Sequence, residues 1–288
     1  MAEKLQTISE IRHLLSAMFS GTRSMGEANA MATMIIMEYT GMEGARQLAL
    51  GDRVVSPASS ALIMAATERA VSGEPLQYIF GYTLFCGHRI GVGPGVLIPR
   101  PETEEMTSAV IAENNGFDGI VLDLCTGSGC IAVALAAAFP DAKINATDFS
   151  EIALETAARN TAANNAAVLL FRADILTAPA ESFPQCDILI SNPPYVRLSE
   201  KAQMQPNVLD HEPHEALFVG DDDPLVFYRS IESIASRRLR QNGRLYLEIN
   251  EALDRETADI FIKNGFTEVT VTDDINGKKR FLKALKNG

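Results

Sequence analysis

Residues 192–195, Asn-Pro-Pro-Tyr, combine types and spacing with a clear chemical use. They follow the short apolar run Ile188–Ile190, which predicts that the tetrapeptide closes a strand. The two prolines fix the backbone and remove two N–H donors, and a residue before proline is restricted to extended conformations. The turn therefore presents the Asn192 side-chain carbonyl and main-chain carbonyls as acceptors, beside the ring of Tyr195. Such a turn can hold the N–H groups of a planar nitrogen and direct its lone pair at an electrophile.

A glycine-rich segment upstream has the pattern of a nucleotide site. The apolar run Ile120–Leu122 predicts a strand, and the alanine-rich stretch Cys130–Phe139 predicts a helix. The turn expected between them contains Asp123, Cys125, Thr126, Gly127, Ser128 and Gly129. A strand, a glycine-rich turn and a helix form the start of a nucleotide-binding βαβ unit. Glycines there allow a tight turn and a close approach of ligand to backbone.

The ligand of that turn is open between a dinucleotide and a sulfonium nucleoside. Residues 127–132 satisfy the Gly-x-Gly-x-x-Ala form of the dinucleotide fingerprint, but a lone match has low specificity. The next predicted strand, residues 143–147, ends at Asp148, where a carboxylate can accept both ribose hydroxyls. Asp123 favours the sulfonium ligand, because a carboxylate suits a cation better than a pyrophosphate.

Composition and charge restrict the class of protein. The chain has 288 residues, enough for one α/β domain and a smaller one, and 47% are hydrophobic. It has no run of about 18 apolar residues, so we expect no membrane span, and residues 1–4 lack a signal-peptide pattern. The four cysteines form no CxxC pair, which predicts neither a zinc site nor disulfides and indicates a reducing cytoplasm. The net charge of −12 argues against a long nucleic acid as partner and favours a basic protein.

Periodicity predicts helices first and alternating strands and helices later. Helices are expected over residues 8–19, 27–39 and 57–71, with Ser56 as N-cap of the third. A hairpin is expected over residues 80–92. From about residue 117 the alternation predicts a mostly parallel sheet covered on both faces, and residues 267–284 predict a hairpin at its edge.

Several motifs taken together resemble one known family, the protein-(glutamine-N5) methyltransferases of peptide-chain release factors (the PrmC/HemK family). The resemblance covers nearly the whole chain, including the linker from residue 73 onward. Its motifs are Leu97–Glu104, Asp123-x-x-Thr126-Gly127-Ser128-Gly129, Asn192-Pro193-Pro194-Tyr195 and Glu212-Pro213-x-x-Ala216-Leu217. The combination is highly specific, whereas Asn-Pro-Pro-Tyr alone is shared with adenine-N6 methyltransferases of DNA and RNA.

The resemblance implies a fold and a division into domains. The fold class is α/β: a class I methyltransferase Rossmann-like domain, with a mostly parallel seven-stranded sheet and an antiparallel edge, plus a small N-terminal helical domain. We expect residues 1–75 to form the helical substrate-recognition domain, 76–97 a β-hairpin linker, and 98–288 the methyltransferase domain.

The resemblance also implies the site. The cofactor is S-adenosyl-L-methionine, with no metal, and the residues expected to bind it are Asp123, Cys125, Thr126, Gly127, Ser128, Gly129, Asp148, Asp174, Ile175 and Asn192. The residues expected to be catalytic are Asn192, Pro193 and Tyr195. The residues expected to bind substrate are Asn192, Pro193, Pro194, Tyr195, Arg100, Glu102 and Thr103. The segment from Arg100 to Thr103 is also an ordinary helix start. The chain departs from the family pattern at Cys125 and Asn250, where glycine is expected.

By the same resemblance, the reaction is methyl transfer to the side-chain amide nitrogen (N5) of the glutamine in the Gly-Gly-Gln motif of class 1 release factors. The alternative is adenine-N6 methylation of DNA or RNA. A cofactor-binding module without catalysis is expected to lack Asn192 or Tyr195, and an NAD-dependent oxidoreductase is least favoured. We expect a cytoplasmic monomer whose partner is a release factor, with no stable nucleic-acid partner and no membrane association.

Overall fold

The chain folds into two compact units. The computed structural model describes residues 6–21 and 23–287, and residues 1–4, on which the signal-peptide expectation rests, lie outside them. The first unit holds the described residues up to Gly81 together with Pro206–His211; the second holds Tyr82–Gln205 and the residues from Glu212 onward. Among the described residues, no helix is both long and apolar enough to cross a membrane.

The first unit is helical. Its helices are α1 (Ile8–Phe19), α2 (Met25–Thr40), α3 (Gly44–Ala49), α4 (Pro57–Val71) and α5 (Leu76–Phe80), together with the short α9 (Pro206–His211). On α1, Leu14 is exposed, whereas Ile8, Ile11 and Leu15 are buried. They pack against α2 and α4 in a core of their own. Burial of one amphipathic face is what stabilises such short helices.

Helix starts in the first unit follow the expected capping chemistry. Ser56 caps α4 and accepts a hydrogen bond from the Ser59 N–H, with Pro57 as the first helical residue. Thr7 and Glu10 form a reciprocal capping box at the start of α1. The predicted helix over residues 57–71 is confirmed with these bounds, because an N-cap serine followed by proline is a specific local signal.

The second unit contains a seven-stranded sheet and two smaller sheets of two strands each. Its strands are β1 (Tyr82–Phe85), β2 (His88–Gly91), β3 (Ile120–Leu124), β4 (Lys143–Asp148), β5 (Val168–Arg172), β6 (Cys186–Ser191), β7 (Val196–Arg197), β8 (Phe218–Val219), β9 (Leu239–Glu248), β10 (Phe266–Asp273) and β11 (Lys279–Lys286). Its helices are α6 (Pro101–Glu113), α7 (Cys130–Ala138), α8 (Glu151–Ala163), α10 (Val226–Arg238) and α11 (Asp254–Lys263). The two smaller sheets are β1-β2 and β7-β8.

The strand order of the seven-stranded sheet is β10-β11-β9-β6-β3-β4-β5. Strands β3, β4, β5, β6 and β9 pair in parallel, whereas β11 is antiparallel to both β9 and β10. The expectation of a mostly parallel sheet with an antiparallel edge is therefore confirmed. The chain runs outward from β3 to β5 and then returns to the other side of β3 as β6. Ligands of open α/β sheets bind at such a reversal, beyond the carboxyl ends of the strands.

The strands next to the reversal are fully enclosed. Leu122, Leu124 and Leu189 have no exposed surface, as expected of parallel strands covered by helices on both faces. The β1–β2 hairpin is tied to α8, because the Asn160 side chain bonds both the N–H and the C=O of Gly91, at 2.7 and 2.9 Å. The residues that follow the ends of these strands are therefore attached to a well-packed sheet.

Candidate active site

A pocket lies at the carboxyl ends of β3, β4, β5 and β6. The sequence-predicted residues that line it are Cys125, Gly127, Asp148, Asp174, Ile175, Asn192 and Pro194. The predicted residues that do not line it are Asp123, Thr126, Ser128, Gly129, Pro193, Tyr195, Arg100, Glu102 and Thr103. The fold therefore brings residues from four strand ends to one cavity and leaves the others behind or beside its wall.

The lining of this pocket favours a cation with an apolar, flat portion. Its ionisable oxygens belong to Asp148, Asp174 and Glu215, and neither lysine nor arginine is among the described residues that line it. Ile175 and Phe227 add apolar surface. A pyrophosphate would meet carboxylates without a compensating cation. This set of acidic side chains therefore suits a sulfonium nucleoside better than a dinucleotide.

Asp123 lies under the glycine-rich turn and has no exposed surface. The Thr126 hydroxyl donates to its Oδ2 at 2.6 Å. The N–H of Ala132 approaches the carboxylate, but Oδ1 is buried without a hydrogen bond. Burial raises the pKa of Asp123 to about 7, the charge of Asp148 adds to the rise, and the Thr126 hydrogen bond opposes it. A buried acceptor left without a partner is costly, and a cationic ligand nearby would stabilise its charge.

Asp148 ends β4 and faces the pocket. Its Oδ2 accepts the Gly127 N–H and its Oδ1 accepts the Ser150 N–H, both at 2.9 Å. Burial raises its pKa, and these backbone donors work against the rise. Each carboxylate oxygen has more than one acceptor site, so both oxygens keep capacity for ligand hydroxyls while the backbone fixes their position.

Asp174 also structures its own loop. Its carboxylate accepts the Leu176 N–H at 2.9 Å and the Thr177 hydroxyl at 3.0 Å. This Asx-type turn places Ile175 against the core, where it is 5% exposed while still lining the pocket. The loop after β5 therefore presents both a polar and an apolar surface.

Asn192 is anchored by a buried group that the sequence did not reveal. Its Nδ2 donates to the Thr103 hydroxyl at 2.9 Å, and that hydroxyl donates to Glu248 at 2.7 Å. The Tyr195 hydroxyl donates to the other oxygen of Glu248 at 2.7 Å. Glu248 ends β9 and is 1% exposed. A glutamate closing the apolar run 245–249 was the available signal, because buried glutamates are rare unless paired.

Arg100 connects two of the sequence motifs. It forms an ion pair with Glu212 at 2.7 Å, and the other oxygen of this buried carboxylate accepts the Ile98 N–H at 3.0 Å. Glu102 is not part of this pair, and its carboxylate accepts a hydrogen bond from the Asn276 Nδ2 at 3.3 Å. The Arg100–Glu212 pair is a charge-assisted hydrogen bond. It fixes the segment before α6 to the loop that follows Glu212, and that loop lines the pocket.

Asn250 is buried, 4% exposed, and holds the segment after the Asn-Pro-Pro-Tyr turn. Its Nδ2 donates to the main-chain carbonyl of Tyr195 at 3.0 Å and to Glu200 at 2.9 Å. Its Oδ1 accepts the Ala252 N–H at 2.9 Å. A glycine at this position could make none of these three side-chain hydrogen bonds.

Comparisons with known proteins agree with this geometry. A family model described as "Methyltransferase small domain" matches residues 85–216, and one described as "PrmC N-terminal domain" matches residues 10–81. The release factor glutamine methyltransferase of Bacteroides thetaiotaomicron is 42% identical over 259 residues, which are 90% of this chain and 92% of that protein. The protein of the same name from Flavobacterium psychrophilum is 44% identical over 214 residues, 73% of this chain and 75% of its own length.

A solved structure shares the fold over much of this chain. A 16S rRNA methyltransferase of T. thermophilus, in complex with AdoMet and guanosine, matches with a TM-score of 0.53 and 17% identity. The match covers 72% of this chain and 50% of that chain. At this identity the likeness concerns the fold alone.

Cys125 occupies a backbone conformation that favours glycine. Its φ is +59°, in the left-handed region, and the neighbouring Gly127 and Gly129 also have positive φ. A side chain in this region costs roughly 1–2 kcal/mol. Burial raises the pKa of the Cys125 thiol well above its ordinary value, and the charges of Asp148 and Asp123 add to the rise. The residue is therefore a neutral, strained member of the turn.

We expect Cys125→Gly to be more stable than Cys125→Ala by about 1 kcal/mol, because only glycine relieves the left-handed strain. Urea unfolding of both variants measures the difference. The matched control is Cys130, the first residue of α7, where alanine should be the more stable substitution. The same order at both positions would contradict the strain.

Proposed function

The chain belongs to the family of release factor glutamine methyltransferases, and on that premise we propose that it methylates the side-chain amide nitrogen (N5) of the glutamine in the Gly-Gly-Gln motif of class 1 peptide-chain release factors. The observation that carries the proposal is the position of Asn192. Its side chain lines the same pocket as Asp148, Asp174 and Ile175. A group able to hold an amide therefore lies next to residues suited to a sulfonium nucleoside.

The methyl donor is S-adenosylmethionine, and the proposed contacts follow the lining of the pocket. Asp148 binds the ribose hydroxyls, Asp174 and Ile175 hold the adenine, and the turn at 125–129 with Asp123 behind it stabilises the positive charge. When bound, this cofactor supplies a methyl group on a positively charged sulfur, so the nitrogen needs an aimed lone pair rather than a strong base.

The chain's own contribution at the nitrogen is orientation. The Asn192 Oδ1 and the Pro193 main-chain carbonyl accept the two N–H bonds of the substrate amide, while Pro194 and Tyr195 cover the amide plane and exclude water. An amide lone pair is delocalised into its carbonyl, so both acceptors favour the pyramidal nitrogen that transfer requires. Holding reactants in such a geometry can supply on the order of 7–11 kcal/mol.

The division of labour is proposed along the domains expected from sequence. Residues 1–75 recognise the body of the release factor, 76–97 link, and 98–288 carry out transfer. The separate helical core of the first unit supports this division. We place the reaction in the cytoplasm, with a monomeric enzyme whose acidic charge favours a basic protein surface.

Transfer of labelled methyl groups tests the proposal directly. The wild-type protein is incubated with labelled S-adenosylmethionine and a purified release factor, the same factor with its Gly-Gly-Gln glutamine changed to alanine, duplex DNA, or ribosomal RNA. We expect label on the intact factor alone. Label on nucleic acid with the factor untouched would establish the alternative, adenine-N6 methylation.

Two substitutions should separate binding of the cofactor from orientation of the substrate. Asn192→Ala should lower kcat about 100-fold or more, because one amide acceptor is lost, with little change in cofactor Kd. Asp148→Ala should raise that Kd about 10- to 100-fold, since a charged acceptor is lost. Titration calorimetry and initial rates measure both. Asp141→Ala, an exposed carboxylate before β4, is the control, and equal effects of the two variants on Kd would refute the assignment.

Cofactor affinity should depend on pH through Asp123. Because burial raises the pKa of Asp123 to about 7, the carboxyl is protonated below that pH and must lose its proton when a cation binds. Affinity should therefore rise as pH increases to about 7 and then level off. For the unliganded protein the sign is opposite. The native state binds more protons between about pH 4 and pH 7, so the free energy of unfolding falls as pH rises through this window.

Calorimetry between about pH 5.5 and pH 8.5 measures this dependence. In Asp123→Asn the affinity should be lower and the rise toward pH 7 absent. A wild-type affinity that is constant across the range, or a variant with the wild-type profile, would disprove the role of Asp123.

A further inference from the structure

A chain of hydrogen bonds leads from the pocket into the sheet through three elements. Asn192, after β6, donates from Nδ2 to the Thr103 hydroxyl on α6, which donates to Glu248 at the end of β9. Thr103 is 3% exposed and Glu248 is 1% exposed. The far oxygen of Glu248 accepts the Tyr195 hydroxyl. The chain therefore connects both polar side chains of the Asn-Pro-Pro-Tyr turn to one buried carboxylate.

Glu248 sets the direction in which each hydrogen bond of this series is donated. An ionised carboxylate can only accept hydrogen bonds, whereas a hydroxyl has a single proton to donate. Because the Thr103 hydroxyl uses its one hydrogen to donate to Glu248, its oxygen can only accept a hydrogen bond from Asn192. The Asn192 amide must then direct Nδ2 inward, and its carbonyl Oδ1 is left for the pocket. In the described part of the chain, Oδ1 accepts no hydrogen bond.

The opposite polarity would present the wrong group to the substrate. If Glu248 donated to Thr103, the hydroxyl would donate to the Asn192 carbonyl, and Nδ2 would face the pocket. Two N–H donors, the substrate amide and Nδ2, would then oppose each other. An amide rotated by half a turn has nearly the same shape, so packing alone does not select the useful orientation.

Both oxygens of Glu248 are placed as acceptors, one for the Thr103 hydroxyl and one for the Tyr195 hydroxyl. Burial raises the pKa of Glu248, while the hydroxyls of Thr103 and Tyr195 and the charge of Arg280 oppose that rise. Arg280 is itself positioned by the Ile249 carbonyl at 3.1 Å. The pKa of Tyr195 is well above its ordinary value, first because of burial and then because of Glu248, so its hydroxyl remains a donor.

We propose that Glu248 and Thr103 are positioning residues that select the amide orientation of Asn192, so that its carbonyl oxygen accepts the N–H of the amide to be methylated. The inference rests on the proposed function and adds two residues to it. Thr103 was expected from sequence to bind substrate, but neither Thr103 nor Glu248 lines the pocket, so in this proposal both act through Asn192. Their effect is on the fraction of enzyme whose Asn192 presents an acceptor, and therefore on kcat.

Substitutions at Thr103 test the chain with minimal change of shape. Thr103→Val removes the hydroxyl, whereas Thr103→Ser keeps it. We expect Thr103→Val to lower kcat on the order of 100-fold with cofactor Kd unchanged, and Thr103→Ser to restore most of the rate. The control is Thr107→Val, because Thr107 is equally buried one turn along α6 but bonds only the Thr103 carbonyl. It should keep the wild-type kcat.

A double-mutant cycle tests whether the two residues act as one unit. Glu248→Gln replaces a pure acceptor by a group that also donates, so it should lower kcat as well. Combined with Thr103→Val it should cost no more than the worse single variant, because both break the same chain. Additive losses, or a Thr103→Val rate equal to wild type, would overturn the inference.

A measurement without substrate separates this inference from the proposed function. In protein with nitrogen-15 asparagine, the side-chain resonances of Asn192 are identified by their loss in Asn192→Ala. One Nδ2 proton should exchange slowly with water in the wild type and rapidly in Thr103→Val. Equal exchange rates in the wild type and in Thr103→Val would refute the proposed hydrogen-bond chain, even if release factor is methylated. Failure of the wild type to methylate release factor, with the exchange difference present, would refute the proposed function alone.

Discussion

Compensation of buried negative charge is the constraint on which the site depends. Asp123, Asp148, Glu212 and Glu248 all lie at the carboxyl edge of the sheet with at most 9% of their surface exposed. Each buried carboxylate needs donors, since desolvation without hydrogen bonds is costly. The donors are backbone N–H groups and hydroxyls of the loops and the helix start around the pocket, together with the Arg100 guanidinium at Glu212. The position of these loops is therefore set by the charges that they solvate, and the pocket lies between them.

The order of the strands explains how such a concentration of charge is possible. Parallel strands end at one edge, and the reversal between β3 and β6 opens a crevice there. Burial of the apolar strand interiors stabilises the fold, so the last residues of the strands can be polar. A methyltransferase that is only 17% identical keeps the same fold, because this arrangement depends on burial pattern rather than on particular side chains. Differences in chemistry are left to the loops.

Local signals predicted the elements well, because each depends on a few neighbouring residues. The Ser56–Pro57 start of α4 and the alternation beyond residue 117 are of this kind, and both match the structure. Cys125, Asp148, Asp174 and Asn192 line one pocket, since strand ends of a parallel sheet meet at one edge, but family resemblance and not a local signal had grouped them. Resemblance to a family named the reaction, which periodicity does not encode.

The remainder depended on contacts that sequence does not order. Asn192 lies 89 positions from Thr103, and Thr103 lies 145 positions from Glu248. No local pattern identifies which hydroxyl will meet which carboxylate across three elements. The left-handed backbone of Cys125 has no signal in the residue itself, and only the glycine expected there by resemblance pointed to a positive φ.

Asn250 makes the segment after the Asn-Pro-Pro-Tyr turn depend on a side chain that follows β9. Its amide bonds both the Tyr195 carbonyl and Glu200, and Glu200 is also paired with Arg197 at 3.0 Å. A glycine at position 250 would remove a donor from two acceptors at once, and Glu200 would keep only its contacts with Arg197. A substitution at position 250 therefore acts on Glu200 as well, and the effects of changes at the two positions should not simply add. The sequence of this loop is thus constrained from outside it, by a residue that lies 50 positions from Glu200 along the chain.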